Sequence, residues 1–279
     1  MIKRILILLL ISGQLLAQNN EYLFDLSSAN PSATALKNNS ISLFYSTKLI
    51  GIDKSPVYQH LNYQSRFSEN TAIGIHVLSE TKGESGNTAF HFSYSHQLKI
   101  IQQFKLSLGL QSEFNSSLID KSEYIRSDSQ DNLIFEGRSQ EYYQNASAGL
   151  SLYSDKINLG LSASNLFRKN IYSRKINKKP ELNYKLYLNY NIFINMIIID
   201  IGGLVDYIKD ERLMTAIHLK TNYKRLYLGS KVDNYESVGI FTGFRSGNLE
   251  FYYLRSTPRK LNNTIVLGGN EIKIIYFLN

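Results

Sequence analysis

The 279-residue chain has no cysteine and no tryptophan, and only four prolines and five histidines. Without cysteine there is no disulfide scaffold, no thiolate zinc or iron–sulfur ligation, no cysteine nucleophile and no lipid-modified N-terminal cysteine. G-x-S-x-G, P-loop and H-E-x-x-H patterns are all missing. Ser79-Glu80-Thr81-Lys82 matches S-x-x-K, but it falls at an expected hairpin tip where chance matches are common. The histidines, His60, His76, His91, His96 and His218, are scattered along the chain. His91 and His96 are five apart, so on a strand they face opposite ways and share no metal. The reading is non-enzymatic, with no cofactor and no metal; a serine/histidine hydrolase using His60 or His218 is the residual alternative. The formal charge of +8 comes from 31 Lys and Arg against 23 Asp and Glu, and falls to +6 without Lys3 and Arg4. Basicity this diffuse does not argue for nucleic acid.

The beginning of the chain sets the compartment. MIKRILILLLISGQLLAQ opens with Lys3 and Arg4, runs apolar from Ile5 to Leu16, and reaches Ala17 before Gln18-Asn19-Asn20. This is the pattern of a secretory signal peptide cleaved after Ala17, and the run falls short of the roughly 20 residues of a bilayer helix. The next most apolar stretch, Ile192 to Val205, contains Asn195, Asp200 and Gly202-Gly203 and makes a poor spanning helix.

What remains alternates in twos. Phe104, Leu106, Leu108 and Leu110 interleave with Lys105, Ser107, Gly109 and Gln111, and Leu159, Leu161 and Ala163 with Asn158, Gly160 and Ser162. The pattern predicts fourteen strands, at 41–50, 56–67, 71–79, 87–98, 104–115, 141–153, 157–165, 181–194, 197–207, 212–221, 225–233, 236–245, 248–256 and 270–278. Many run 9–12 residues, against the five or six usual in soluble proteins, and strands of about ten residues suit a tilted bilayer crossing. Short connections such as 68–70, 154–156, 195–196 and 246–247 fall at one end, while the long ones, 116–140, 166–180 and 257–269, fall at the other. A β-sandwich or propeller would alternate in the same way. Strand length, loop asymmetry and aromatic residues near strand ends favour an all-β outer-membrane barrel of about fourteen antiparallel strands, with Ile272, Ile274 and Tyr276 in the strand that closes it. The expected domains are 1–17 as signal peptide, 18–40 as an N-terminal leader or lumen plug, and 41–279 as barrel. Tyr22, Leu23, Phe24 and Leu26 would anchor the plug, and small inner-face residues such as Gly74, Gly109, Gly149 and Gly160 would leave room for it.

EYLFDLSSANPSA, YSTKLIGIDKSP, IGIHVLSETKGESGNTAFHFSYSHQLKI, KLSLGLQ and the closing NEIKIIYF, in that order, resemble the PorP/SprF family of Bacteroidota type IX secretion and gliding proteins. The matching positions include Phe24, Asn30, Pro31, Gly51, Pro56, Gly74, Gly83 and Tyr94. Ser46 and Leu49 stand where the family usually has Arg and Trp, which marks a divergent member. The resemblance implies an integral outer-membrane barrel that docks, exports or anchors a secreted surface protein, such as a gliding adhesin with a type IX C-terminal signal. It also implies contact with other type IX components. Two outer loops are the candidate partner-binding sites: 116–140, with the apolar knot Leu133-Ile134-Phe135, and 166–180, with Arg168, Lys169, Arg174, Lys175, Lys178 and Lys179 and no acid. The second would meet an acidic cargo domain or lipopolysaccharide phosphates at the surface of the outer-membrane lipid. A channel for small solutes is the alternative function, since fourteen strands enclose a lumen.

Overall fold

The computed structural model describes residues 20–36, 39–101, 103–120, 137–173, 181–209, 212–234, 237–258 and 268–278. Three short helical turns, Glu21–Leu23, Leu26–Ser28 and Pro31–Ala33, precede the strands. These are β1 (Ser40–Thr47), β2 (Val57–Arg66), β3 (Thr71–Lys82), β4 (Ser85–Ile101), β5 (Phe104–Asp120), β6 (Arg138–Tyr153), β7 (Ile157–Ser164) and β8 (Arg168–Ser173). They continue with β9 (Asn183–Ile194), β10 (Ile197–Ile208), β11 (Arg212–Tyr223), β12 (Leu226–Asp233), β13 (Ser237–Ser246), β14 (Leu249–Pro258) and β15 (Gly269–Phe277).

Every pairing is antiparallel and the sheet closes on itself, with β1 against β15 from Ser40↔Phe277 to Thr47↔Asn270. The fifteen segments make fourteen staves, because β7 and β8 lie end to end along β6, β7 on Ala148–Tyr153 and β8 on Glu141–Asn145. Closure leaves no long unpaired edge to template aggregation. The end at which β1 begins and β15 finishes, the inner end, has tight turns at 67–70, 154–156, 195–196, 224–225 and 247–248. Asn195, Lys224 and Gly247 take up positive φ there, as the first residue of a two-residue hairpin turn requires.

The strands sort their residues as a membrane demands. Leu43 is 50% exposed while its neighbour Phe44 is fully enclosed, and Tyr184, Leu186, Leu188 and Tyr190 face outward around an inward Tyr187. Buried polar side chains outnumber buried apolar ones, with Ser93, Ser95, Ser107, Ser151, Glu271 and Lys273 all lining the inside. A soluble β-protein would bury the opposite face. This inversion places the apolar half of each strand against lipid.

The expected strands are all present, but several reach further than alternation indicates. β5 continues to Asp120 and β6 starts at Arg138, which narrows the expected 116–140 loop to 121–137. Above the lipid neither face has to be apolar, and the backbone ladder from Ser116↔Tyr142 to Asp120↔Arg138 carries on without a hydrophobic signal. For the same reason the expected loop at 166–180 contains β8, so Arg168 and Lys169 lie on a strand. The signal peptide at 1–17 is outside the described residues, as are Leu133, Ile134, Phe135, Arg174, Lys175, Lys178 and Lys179.

Leu188, halfway along β9, faces lipid. Leu188→Arg is expected to cost about 2–4 kcal/mol at mid-bilayer depth, measured as a shift in denaturant unfolding of the barrel in lipid vesicles.

Candidate functional site: the lumen and its N-terminal segment

Residues 20–36 run inside the barrel. Asn20 sits towards the outer end, where it donates to Glu271 Oε1 on β15 (2.6 Å) and accepts from Lys231 Nζ on β12 (2.7 Å). The segment descends across the lumen, and Ser32 reaches the lower part of β5, its carbonyl accepting from Ser107 Oγ (2.7 Å). It leaves beside Arg66, whose guanidinium donates to the carbonyls of Ala35 and Leu36.

Two polar side chains shape the segment and dock it together. Asp25 Oδ1 caps the second turn through Ser27 N (3.0 Å), while its Oδ2 accepts from Asn62 and Gln64 on β2 (both 2.9 Å) and from Lys273 (3.3 Å). Asn30 Oδ1 caps the third turn through Ser32 N (2.9 Å), and its amide donates to the carbonyls of Leu150 (3.1 Å) and Leu161 (3.2 Å). Pro31 at the first position of that turn has no amide to leave unpaired. The wall is hollowed to receive these groups. A Cβ at Gly109 would collide with the backbone of Pro31 and Ser32, and one at Gly149 with the Asn30 side chain. Apolar anchoring lies higher: Tyr22 and Leu23 join Leu204, Phe241 and Leu254 in a small core. Phe24 packs edge-on to Phe241 and tilted over Tyr252.

The electrostatic centre is Lys273, fully enclosed, which donates to Glu21 Oε1 and to Asp25 Oδ2. Glu21 Oε2 also meets His60 Nδ1 at 2.6 Å. Burial alone would push both carboxyls up, but Lys273, assisted by His60 at Glu21 and by the Ser27 hydrogen bonds at Asp25, holds each below the ordinary carboxylate range. Beyond His60 runs a row the sequence reading did not see. His60 Nε2 is 3.1 Å from His76 Nδ1, the two rings are stacked, and His91 lies next to His76 with centroids 6.4 Å apart. Three of the five histidines called scattered are thus neighbours. The two-residue turn at Gly83-Glu84 sets His76 opposite His91, a register readable from the hairpin alone. No group of three or more potential metal ligands forms among the described residues.

Of the motif residues, Phe24, Asn30, Pro31 and Gly74 converge on the segment and its seat; Gly74 leaves space for Thr34. Gly51 and Gly83 occupy outer turns at positive φ, the Pro56 carbonyl accepts from Lys48 N in the first outer loop, and Tyr94 faces lipid. Of the partner-binding candidates, Arg168 pairs with Glu141 and lies 4.0 Å over the Tyr143 ring, while Lys169 is exposed. Lys273 escaped the sequence reading; its signal is a cation between Ile272 and Ile274 in the closing strand.

A family model described as type IX secretion system membrane protein PorP/SprF matches residues 11–265. No curated protein matches the chain in sequence. Among solved structures the chain is similar to the Ralstonia pickettii toluene transporter TbuX, at TM-score 0.57 and 9% identity over 90% of this chain and 93% of that one. It is similar to the CymD monoaromatic hydrocarbon channel at TM-score 0.58 and 10% identity, over 94% and 93%. The Pseudomonas putida toluene transporter TodX follows at 0.51 and 9%, over 92% of each. Likeness at such identities shows the barrel fold, that of outer-membrane proteins, and nothing of ligand.

Carboxyls held below their ordinary values stabilise the docked segment fully above the 3.8–4.5 range, and that contribution disappears as pH falls through their lowered values. Hydrogen exchange of residues 20–36, corrected for intrinsic rates, should stay slow at neutral and mildly acidic pH and rise only in strong acid. In Lys273→Met the rise should begin at higher pH, because the cation that holds both carboxyls down is gone.

Proposed function

The chain belongs to the PorP/SprF family of type IX secretion system membrane proteins, and on that premise we propose that it is a non-enzymatic docking component. It holds a secreted surface protein during export or anchoring and works with other components of the same machinery. Family membership carries this reading. Its support in the geometry is a lumen already occupied by residues 20–36, held by hydrogen bonds to several staves. A barrel filled in this way offers its rims and loops to partners rather than a wide path for cargo. The outer side carries the partner-binding candidates. β5, β6 and β8 rise past the outer ends of β9 and β10 there, Arg168 and Lys169 lie on this tall side, and the sequence from Arg168 to Lys179 is a basic stretch without an acid. An acidic domain of a secreted protein is the complement of that stretch.

A second reading, a channel for small solutes, draws on the likeness to TbuX and CymD, which are a transporter and a channel. The two readings part in a planar bilayer. Under the docking reading the intact protein gives no steady open-channel current, whereas deletion of residues 20–36 does. Steady current from the intact protein would transfer the assignment to a channel. Affinity purification from the native outer membrane should recover a secreted protein, and Arg174→Gln/Lys175→Gln/Lys178→Gln/Lys179→Gln should weaken that recovery severalfold.

A further inference from the structure

Charge is distributed differently at the two ends of the barrel. At the outer end four described cations stand beside acids, Lys48 with Glu271, Lys54 with Glu84 at 2.5 Å, Arg138 with Asp120 at 3.2 Å and Arg168 with Glu141, while, among the described residues, Lys169, Lys209 and Arg255 do not. At the inner end, among the described residues, six exposed cations, Lys99, Lys105, Lys156, Lys224, Arg225 and Arg245, face two exposed acids, Glu69 and Asp155. Arg245 reaches Glu250 at 3.6 Å; among the described residues none of the other five has a carboxylate within ion-pair distance.

The cations are also placed against one another. Lys99 and Lys105 are direct cross-strand partners at the foot of the β4–β5 hairpin. Arg225, in the turn before β12, lies next to Arg245 at the foot of β13, where Arg245 N donates to the Arg225 carbonyl at 2.8 Å. Like charges directly opposite work against sheet pairing, so folding does not account for Lys99 facing Lys105. Lys224 adds to the second cluster at φ 55°, a conformation occupied by Asn195 and Gly247 in the comparable turns. The two clusters are seven staves apart in a ring of fourteen, hence on opposite sides of the mouth.

Their direction excludes lipid as the natural complement. Gln97 and Ser107 face inward, buried in the lumen, and Lys99 and Lys105 lie two residues nearer the inner end on those same faces. Arg245 follows inward-facing Gly243 by two residues and is drawn to Glu250, which is buried inside. Phospholipid headgroups surround the outside of the wall, whereas these side chains ring the opening. The N-terminal segment leaves through the same opening, where Arg66 grips the Ala35 and Leu36 carbonyls.

We propose that the periplasmic mouth of the barrel is a docking ring for an acidic segment of a periplasmic protein, held by Lys99 and Lys105 on one side and Arg225 and Arg245 on the other. This deepens the reading of the protein as a partner of other secretion components, and it does not depend on which cargo the outer loops receive. A protein bound at the ring lies directly against the exit of the N-terminal segment, so engagement at the inner end and docking of that segment are neighbouring events.

The test uses the full barrel in phosphatidylcholine nanodiscs and a fluorescent oligoglutamate peptide as probe. The wild-type protein should bind the probe at low salt and release it as salt rises. Lys99→Gln/Lys105→Gln/Arg225→Gln/Arg245→Gln should weaken binding by about tenfold. Lys54→Gln/Lys82→Gln, at the outer end, should leave it unchanged. Heat-modifiable gel mobility verifies that each variant is a folded barrel, and either inner pair replaced alone serves if the quadruple variant does not fold. Unchanged affinity in the folded inner variants, or loss on replacing the outer pair, would overturn the proposal. So would a wild-type barrel that retains phosphatidylglycerol in native mass spectrometry and thereby excludes the probe, since that would make lipid the occupant. The pull-down that tests the outer loops is separate, so failure at one end is distinguishable from failure at the other.

Discussion

The inward half of every strand sets the terms for this molecule. Two-residue alternation in a closed sheet gives one face to lipid and commits the other to a narrow interior, where polar groups must find partners away from bulk water. The sequence fills that face with Ser, Asn, Gln, His, Lys and Glu, and residues 20–36 return much of what these groups need. Ser27 answers Asn62 and Gln64, Asn30 answers the Leu150 and Leu161 carbonyls, and Glu21 with Asp25 answers Lys273. Segment and wall are in this sense one hydrogen-bonded body.

The ion pairs at Lys273 show how strongly the arrangement is coupled. A cation fully enclosed in a barrel wall is tolerable only with its counter-charges in place, and removing one partner of such a buried pair typically costs about 3–5 kcal/mol. The cation comes from the last strand and the carboxylates from the N-terminal segment. The same strand joins β1 to close the ring. Closure of the wall and seating of the segment therefore depend on overlapping residues.

Most of the fold was legible because a barrel writes itself in a local code: period two, turn residues, and lengths near a bilayer crossing. The strand at 181–194 was readable from Tyr184, Leu186 and Leu188 without any tertiary knowledge. The code failed where lipid stops, in the upper parts of β5 and β6 and in β8, since a strand with two wet faces has no alternation to display. The interior was legible in its materials and not in its wiring. Gly109 and Gly149 announced space, and Phe24 and Leu26 announced anchors. The approach of His60 to His76 needed the register of β2 on β3, and Lys273 needed the segment's path, neither of which periodicity carries.

The segment's course has a consequence for biogenesis. It lies across the lumen from Asn20 near the outer end to Leu36 at the inner one, and only three residues separate it from β1, which is bonded along both edges. A finished ring has no seam through which such a stretch, tethered to the wall and bonded to many of its staves, could be inserted sideways. The segment comes to lie there either as the sheet wraps around it, with β15 meeting β1 last, or lengthwise through the inner mouth beside Arg66. On either course the occupant of the lumen is secured at two places, by Arg66 at the inner mouth and by Lys273 on the strand that closes the ring.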